Sequence, residues 1–244
     1  MQTPYALSII LKCTRSLWLC PFMVLLACHG QQNERYVFRA GDPNGIGNWY
    51  MGREIAHVMG YQGMGWLERP EREKEERTAL LLKNMELRPT DTIADIGAGS
   101  GYHTFKMASM APEGAVYAVD LQPQMLAAMA SKKVDMEVGN VTLVQGTEKS
   151  VNLPPNTMDK VLLVDVYHEF NFPYEMMLSI REALAPDGKV YLIEYRGEDP
   201  LVPIKEVHKM TEEQAEREME AAGFKLLKNI TNLPWQHCMV FQKK

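Results

Sequence analysis

Three glycines at alternate positions most narrow what this chain can fold into. The run Asp95-Ile96-Gly97-Ala98-Gly99-Ser100-Gly101 closes an apolar segment, Thr92–Ile96, that reads as a strand. A helix through about Met110 is expected after it. Glycines at such a junction let the backbone turn tightly and approach a bound molecule closely. The helix start beyond the turn offers unpaired N–H groups, which suit a polar or anionic ligand. A dinucleotide fingerprint reads G-x-G-x-x-G; here Tyr102 stands at its third glycine, and Gly101 comes one residue early.

The rest of the chain repeats strand and helix around this turn. Strands are expected at Ala115–Val119, Val141–Gln145, Lys160–Val166 and Val190–Tyr195. Helices are expected at Pro123–Ser131 and Pro173–Leu184, the second with proline in its first turn and Gly188 beyond its end. The continuous apolar run KVLLVDV fits a strand covered on both faces. Thr211-Glu212-Glu213-Gln214 has the form of a capping box, and the helix it opens ends at Gly223. Phe224–Ile230 and Gln236–Phe241 read as a closing hairpin that adds an antiparallel strand at one edge. Repeated βα units of this kind make an α/β fold with a parallel sheet wrapped by helices. Ahead of them, Gly52–Met59 is expected to be a helix within an irregular entry segment. Leu67–Leu87 is expected as a helix with one wet and one core face.

Composition limits the partners. A chain of 244 residues suits one α/β domain or at most two small ones. Its net charge of −5 argues against nucleic acid as a main partner, because phosphate binding needs clustered Lys and Arg. A disulfide scaffold is excluded: Cys13, Cys20 and Cys28 lie in the first 28 residues, and only Cys238 lies in the body of the chain.

The N-terminus has a separate logic. Lys12 and Arg15 precede a short apolar run, Leu17–Ala27, which is too short to span a bilayer and matches an export signal. Leu25-Leu26-Ala27-Cys28 resembles a bacterial lipobox. The resemblance implies cleavage after residue 27 and a lipid on Cys28, so that the protein is exported and membrane-anchored, facing the periplasm. A plain secretory leader, or a cytoplasmic protein whose leader is not used, are the alternatives. Without Lys12 and Arg15 the remaining 24 basic and 31 acidic residues give a net charge of −7, so a lipid and not charge must hold the body at a membrane. Three regions are expected: 1–27 as the signal peptide, 28–84 as an entry segment with a helical lid, and 85–244 as the main domain.

The D-x-G-x-G-x-G turn resembles motif I of the class I S-adenosylmethionine-dependent methyltransferases. The resemblance covers about residues 85–244. It implies a Rossmann-like, seven-stranded, mostly parallel sheet with helices on both faces and an antiparallel C-terminal hairpin. The cofactor it implies is S-adenosyl-L-methionine, bound around Asp95, Gly97, Ala98, Gly99 and Gly101. Asp120 ends the second strand, 25 residues after Asp95, with Leu121 beside it. By resemblance Asp120 receives the ribose hydroxyls, a role that suits a carboxylate with two acceptor oxygens. After the third strand the family commonly carries an acid for adenine; this chain has Thr147 there, with Glu148 one step later.

Asp165, Tyr167, His168 and Glu169 end the fourth strand, at the sheet edge that faces the methyl group in the family. Asp165 is expected on the cofactor side. His168 is the candidate base, with a buried packing histidine as the plainer alternative. Glu169 can orient it, bind a cationic substrate, or charge the start of a helix; Tyr167 is expected to pack against the cofactor. Glu194, Tyr195, Arg196, Lys205, His208 and Lys209 can line a pocket for an anion, or be solvated loop charges. Arg69 and Arg72 fit a lid helix or a wet face, and Trp49, Tyr50 and Trp66 a cover over the pocket or a staple to the core. No metal is expected, because the six histidines are scattered and no Cys–His pair has ligand spacing. The expected reaction is methyl transfer to a small-molecule acceptor. A protein carboxyl methyltransferase and an inactive cofactor-binding protein are the alternatives. Export conflicts with a cofactor made in the cytosol.

Overall fold

The computed structural model describes residues 35–244; the expected leader and Cys28 lie outside them. The main sheet is built from β4 (Thr92–Ile96), β5 (Ala115–Asp120), β6 (Val141–Gln145), β7 (Met158–Val164), β8 (Leu184–Arg196), β9 (Lys209–Met210), β10 (Phe224–Asn229) and β11 (Gln236–Lys243). Its order is β10-β11-β8-β7-β4-β5-β6, with β9 paired to the end of β8. All pairs are parallel except the two made by β11. The two-residue β9 makes eight strands where seven were expected. The hairpin also differs from expectation: its antiparallel strand, β11, lies inside the sheet, and β10 forms the edge. Burial explains the choice, since β11 is buried along most of its length while β10 alternates with exposed Lys225 and Lys228. Charged residues of this kind protect an open edge.

Helices cover both faces: α4 (Thr104–Met110), α5 (Pro123–Asp135), α6 (Pro173–Ala183) and α7 (Glu212–Ala221). Alternate strand residues feed two core layers. Ala94, Ile96, Val161 and Leu163 pack with Met177 and Ile180 of α6 and Met219 of α7. Ile93 and Leu162 point the other way, to Phe105 and Met107 of α4. Thr211 caps α7, its hydroxyl accepting from the Gln214 N–H, and Gly223 ends that turn with φ +86°.

The entry region departs most from the sequence expectation. Gly52–Met59 is not a helix. It contributes to a three-stranded antiparallel sheet of β1 (Tyr36–Phe38), β2 (Gly45–Tyr50) and β3 (Arg53–Ala56). The cause is the Met51-Gly52 pair, both at positive φ, which closes the tight hairpin turn between the paired residues Tyr50 and Arg53. The single helix expected over Leu67–Leu87 is two short ones, α2 (Arg72–Glu76) and α3 (Thr78–Asn84), with α1 (Met64–Leu67) just ahead of them. Arg77 breaks the run with φ +53°. Arg72, expected on a lid helix or a wet face, is buried and paired with the equally buried Glu76 at 2.7 Å.

Arg53 anchors the small sheet to the large one. Its guanidinium donates to both Glu218 carboxylate oxygens at 2.9 Å and to the His168 carbonyl at 3.1 Å. Residues 35–244 thus form one compact unit, with no break at position 84. Among the described residues, no helix is long and apolar enough to cross a membrane.

Candidate active site

The chain runs from β4 outward through β5 to β6, then returns to place β7 on the other side of β4. That reversal opens a crevice beyond the carboxyl ends of the strands. A cavity of about 360 Å³ fills it. Gly97, Gly99, Asp120, Leu121, Thr147, Glu148, Asp165 and Glu169 all line it, as do His57, Met59 and Leu67 from the entry region.

The glycine turn is shaped for this crevice. Gly97 has φ +68°, and a Cβ there would collide with the Val166 side chain. Gly99 has φ +56° and gives its N–H to Asp120 Oδ2 at 2.8 Å. Asp120 Oδ1 accepts from the Gln122 N–H at 2.8 Å. Burial raises the Asp120 pKa against these backbone donors. The Gln122 side chain ties the entry region over the cavity: its amide donates to the Met59 carbonyl at 2.9 Å and accepts from the Tyr61 N–H at 2.8 Å.

Several expected residues stand elsewhere. Asp95 is buried behind the turn, where it accepts from the Thr104 hydroxyl at 2.6 Å and fastens the start of α4. Burial pushes its carboxyl up to about 6. Ala98 and Gly101 shape the turn without lining the cavity. Tyr167 is fully buried and donates to Glu218 at 2.9 Å, so it packs in the core and not against the crevice. Thr147 spends its hydroxyl on its own turn, accepting from the Lys149 and Ser150 N–H groups. Glu148 accepts from Asn171 at 3.2 Å.

A second cavity, of about 670 Å³, shares His57, Met59, Leu67, Val164, Asp165 and Glu169 with the first. Trp66, Arg69, Arg72, Glu76, His168, Tyr195, Lys205 and His208 also line it, with Pro43, Asn44, Pro203 and Ile204. Arg69 stacks on Trp66 at 3.7 Å and is paired with Glu75 and Glu76. Of the charges expected around a pocket, Arg196 and Lys209 are absent from it. Arg196 donates to the carbonyls of Leu233, Pro234 and Gln236, and Lys209 pairs with Glu206. Trp49 donates to the Arg39 carbonyl, and Tyr50 lies in the core.

Asp165 sits between the cavities with φ +50°, a strained value for a non-glycine residue. Gln236 donates to its Oδ2 at 3.0 Å, while Oδ1 is buried without a partner among the described residues. Burial first, then the Glu76 and Glu194 carboxylates, holds its pKa well above the ordinary range.

His168 Nδ1 lies 2.5 Å from Glu194 Oε2, and Glu194 Oε1 accepts from the Tyr167 N–H at 2.9 Å. On the other side, His168 Nε2 faces His208 Nδ1 at 3.1 Å. Burial lowers both histidines to about 4 and raises Glu169 to about 7 and Glu194 to about 8. The dry surroundings thus favour neutral imidazoles at neutral pH. Glu194, expected either at the wall of a pocket or among solvated loop charges, lines neither cavity and is fully buried. Apolar flanks in Tyr191-Leu192-Ile193 were the one sequence signal for that.

A mostly parallel sheet, a glycine turn ending β4 and a carboxylate ending β5 define a Rossmann-like cofactor-binding domain. A family model described as "Methyltransferase domain" matches residues 87–240, more than half of the chain. The chain belongs to that family, whose cofactor is S-adenosylmethionine. It is 24% identical over 164 residues to the uncharacterized methyltransferase YcgJ of Bacillus subtilis, covering 66% of this chain and 64% of that protein. It is 30% identical over 86 residues to a protein-L-isoaspartate O-methyltransferase of Ignicoccus hospitalis, covering 35% of this chain and 41% of that one. The chain thus spans less than two thirds of either relative. A crystal structure of a SAM-dependent methyltransferase from Aquifex aeolicus superposes with a TM-score of 0.71 at 20% identity, covering 75% of this chain and 98% of that one, and shows the shared fold.

The residues present fit that cofactor. Each Asp120 oxygen accepts one backbone N–H and keeps capacity for a hydroxyl. The unpartnered Asp165 Oδ1 offers an acceptor to an ammonium group. Gly97, without a Cβ, lets Val166 pack against the turn, and both residues line the cavity.

Proposed function

We propose that the protein transfers a methyl group from S-adenosylmethionine to a small-molecule acceptor held in the second cavity. The observation that carries this reading is the shared wall: Asp165 and Glu169 line both cavities, so two molecules bound there meet across them. When bound, the cofactor supplies a methyl group on a positively charged sulfur. Asp120 would hold the ribose, Gly97 and Gly99 would let the backbone approach the methionine part, and Thr147 or Glu148 would border adenine. Asp165, with its free Oδ1, would receive the amino group.

The chain's own contribution is positioning and exclusion of water. Gln122 and Met59 close the first cavity from the entry side. An acceptor whose attacking atom carries a proton must lose it. The neutral His168–His208 pair faces the second cavity and can take that proton. Glu194 orients the His168 ring. A small acceptor is favoured over a protein side chain because Trp66, Arg69 and Lys205 wall the second cavity.

Calorimetric titration of the full chain tests the cofactor reading. Micromolar binding of S-adenosylmethionine and of its demethylated product is expected, with none for NAD and a large loss on Asp120→Ala. Absence of binding to the first two refutes it. Transfer of a radiolabelled methyl group to a protein extract but not to a small-molecule pool refutes the acceptor class. We also propose that the chain is exported and anchored through a lipid on Cys28. Labelling of the wild type by radioactive palmitate in a bacterial host, lost on Cys28→Ser, is the expected result.

A further inference from the structure

His168, Glu169 and His208, scattered in sequence, converge in the wall of the second cavity. His168 Nε2 lies 3.1 Å from His208 Nδ1 and 3.9 Å from Glu169 Oε1, and His208 Nδ1 lies 3.8 Å from the same oxygen. The circle through these three atoms has a radius of about 2.1 Å, within the ~2.0–2.2 Å of zinc bonds to imidazole nitrogen and carboxylate oxygen. We propose that His168, Glu169 and His208 form a binding site for a divalent transition-metal ion such as zinc.

Three observations point the same way. First, hydrogen bonding does not account for the cluster. One ring N–H can bridge the two imidazoles, but Glu169 Oε1 is too far from either for a hydrogen bond. Among the described residues its one donor is the Met59 N–H at 3.2 Å. A largely buried carboxylate thus faces two ring nitrogens without bonding to them, the arrangement a shared cation would explain. Second, Glu194 supplies the outer support that metal-binding histidines usually have. It sits on His168 Nδ1 at 2.5 Å, which turns the Nε2 lone pair toward the cluster when the Nδ1 proton is in place. Third, two imidazoles and one carboxylate suit zinc, iron or manganese better than magnesium or calcium, which prefer oxygen ligands alone. Three protein donors leave room in a four-coordinate ion's shell for one further ligand.

This deepens the acceptor reading above and rests on it; with the ion bound, the two histidine nitrogens are ligands, and the metal replaces them as the means of freeing the acceptor's proton. An ion at that point can bind an acceptor that carries a hydroxyl or thiol. The O–H or S–H bond breaks, the proton leaves to solvent, and the freed electron pair binds the metal. The anion is then held beside the Asp165–Glu169 wall that adjoins the cofactor cavity.

The test uses the full chain, stripped with a chelator and dialysed against zinc or cobalt chloride. Bound metal is counted by mass spectrometry, and the visible spectrum of the cobalt form is recorded. One equivalent is expected, with affinity reduced more than about 100-fold by His208→Ala or Glu169→Gln and about 10- to 100-fold by Glu194→Gln. His208 lies outside the cofactor cavity, so His208→Ala should keep its affinity for S-adenosylmethionine, which also shows that the variant is folded. No stoichiometric metal in the wild type overturns the site, as does binding that His208→Ala and Glu169→Gln both leave unchanged. Metal loss with cofactor binding intact, or the reverse, separates a failure of this inference from a failure of the methyltransferase reading.

Discussion

The two cavities share a wall but differ in how they are built. About half of the first comes from neighbouring elements, the turn after β4, the end of β5 and the loop after β6, which succeed one another between residues 96 and 151, and the rest from 46–67 and 164–176. The second draws on segments far apart in the chain: 43–76, 164–169, Tyr195 and 203–208. A cofactor site of the first kind is carried by the fold itself. A site of the second kind depends on how remote segments are fastened, so that is where mutation should do most to separate the two halves.

The largest effect is expected at the fastening. Glu218→Ala leaves the Arg53 guanidinium buried without its carboxylate and removes the acceptor of Tyr167. Breaking a buried pair from one side costs roughly 3–5 kcal/mol, which chemical denaturation would measure. If the comparison holds, the protein that remains folded still binds cofactor while methyl transfer falls further. Equal loss of both would break it.

Next is Asp120→Ala, which removes a buried carboxylate from the first cavity and leaves the Gly99 and Gln122 N–H groups without their acceptor. Loss of charge-assisted hydrogen bonds predicts about a 100-fold rise in the cofactor Kd by calorimetry. Metal binding by the second cavity should be unaffected.

Asp95 tests the support behind the glycine turn. Its pKa is raised from 3.8 to about 6 by burial, so the folded protein binds a proton there that the unfolded chain releases. The associated stability is fully present below about pH 4 and is lost as pH rises through about 6, an effect on the order of 3 kcal/mol. Asp95→Asn keeps an acceptor for Thr104 and should flatten this part of the stability profile in urea melts between about pH 4 and 7. An unchanged slope would count against the buried carboxylate as its source.

The smallest effect is expected at Gln122→Ala, which unties the entry region from α5's start without touching the turn. Two hydrogen bonds of ordinary strength predict about 1 kcal/mol, or roughly a fivefold weaker cofactor. A larger loss would mean that the entry region is as much a part of the first cavity as of the second.

The same contrast governs what was legible beforehand. The strand ending at Ile96, the turn at Gly97 and Gly99, and Asp120 at the end of β5 stand in the structure where the sequence pattern put them. So does the Thr211 cap. Tyr167 does not: a strand-end aromatic looked suited to the crevice, but the turn after Asp165 sends it into the core toward Glu218. The entry helix expected at Gly52–Met59 failed because the positive-φ turn at Met51-Gly52 outweighs the helical pattern of the residues beyond it. His208 could not be joined to His168 from spacing, since 40 residues and α6 separate them.

By itself the sequence determined the alternation of strand and helix, the turn that only glycines relieve at positive φ, and the acid that closes on it. These depend on backbone sterics and on periods of two and 3.6 residues, which act over short stretches. The tertiary structure alone decided that β11 lies inside the sheet, that Arg53 meets Glu218, and that two histidines and a glutamate converge. Such contacts are set by the path of the whole chain and by which charges must be paired once buried, and no local pattern specifies either.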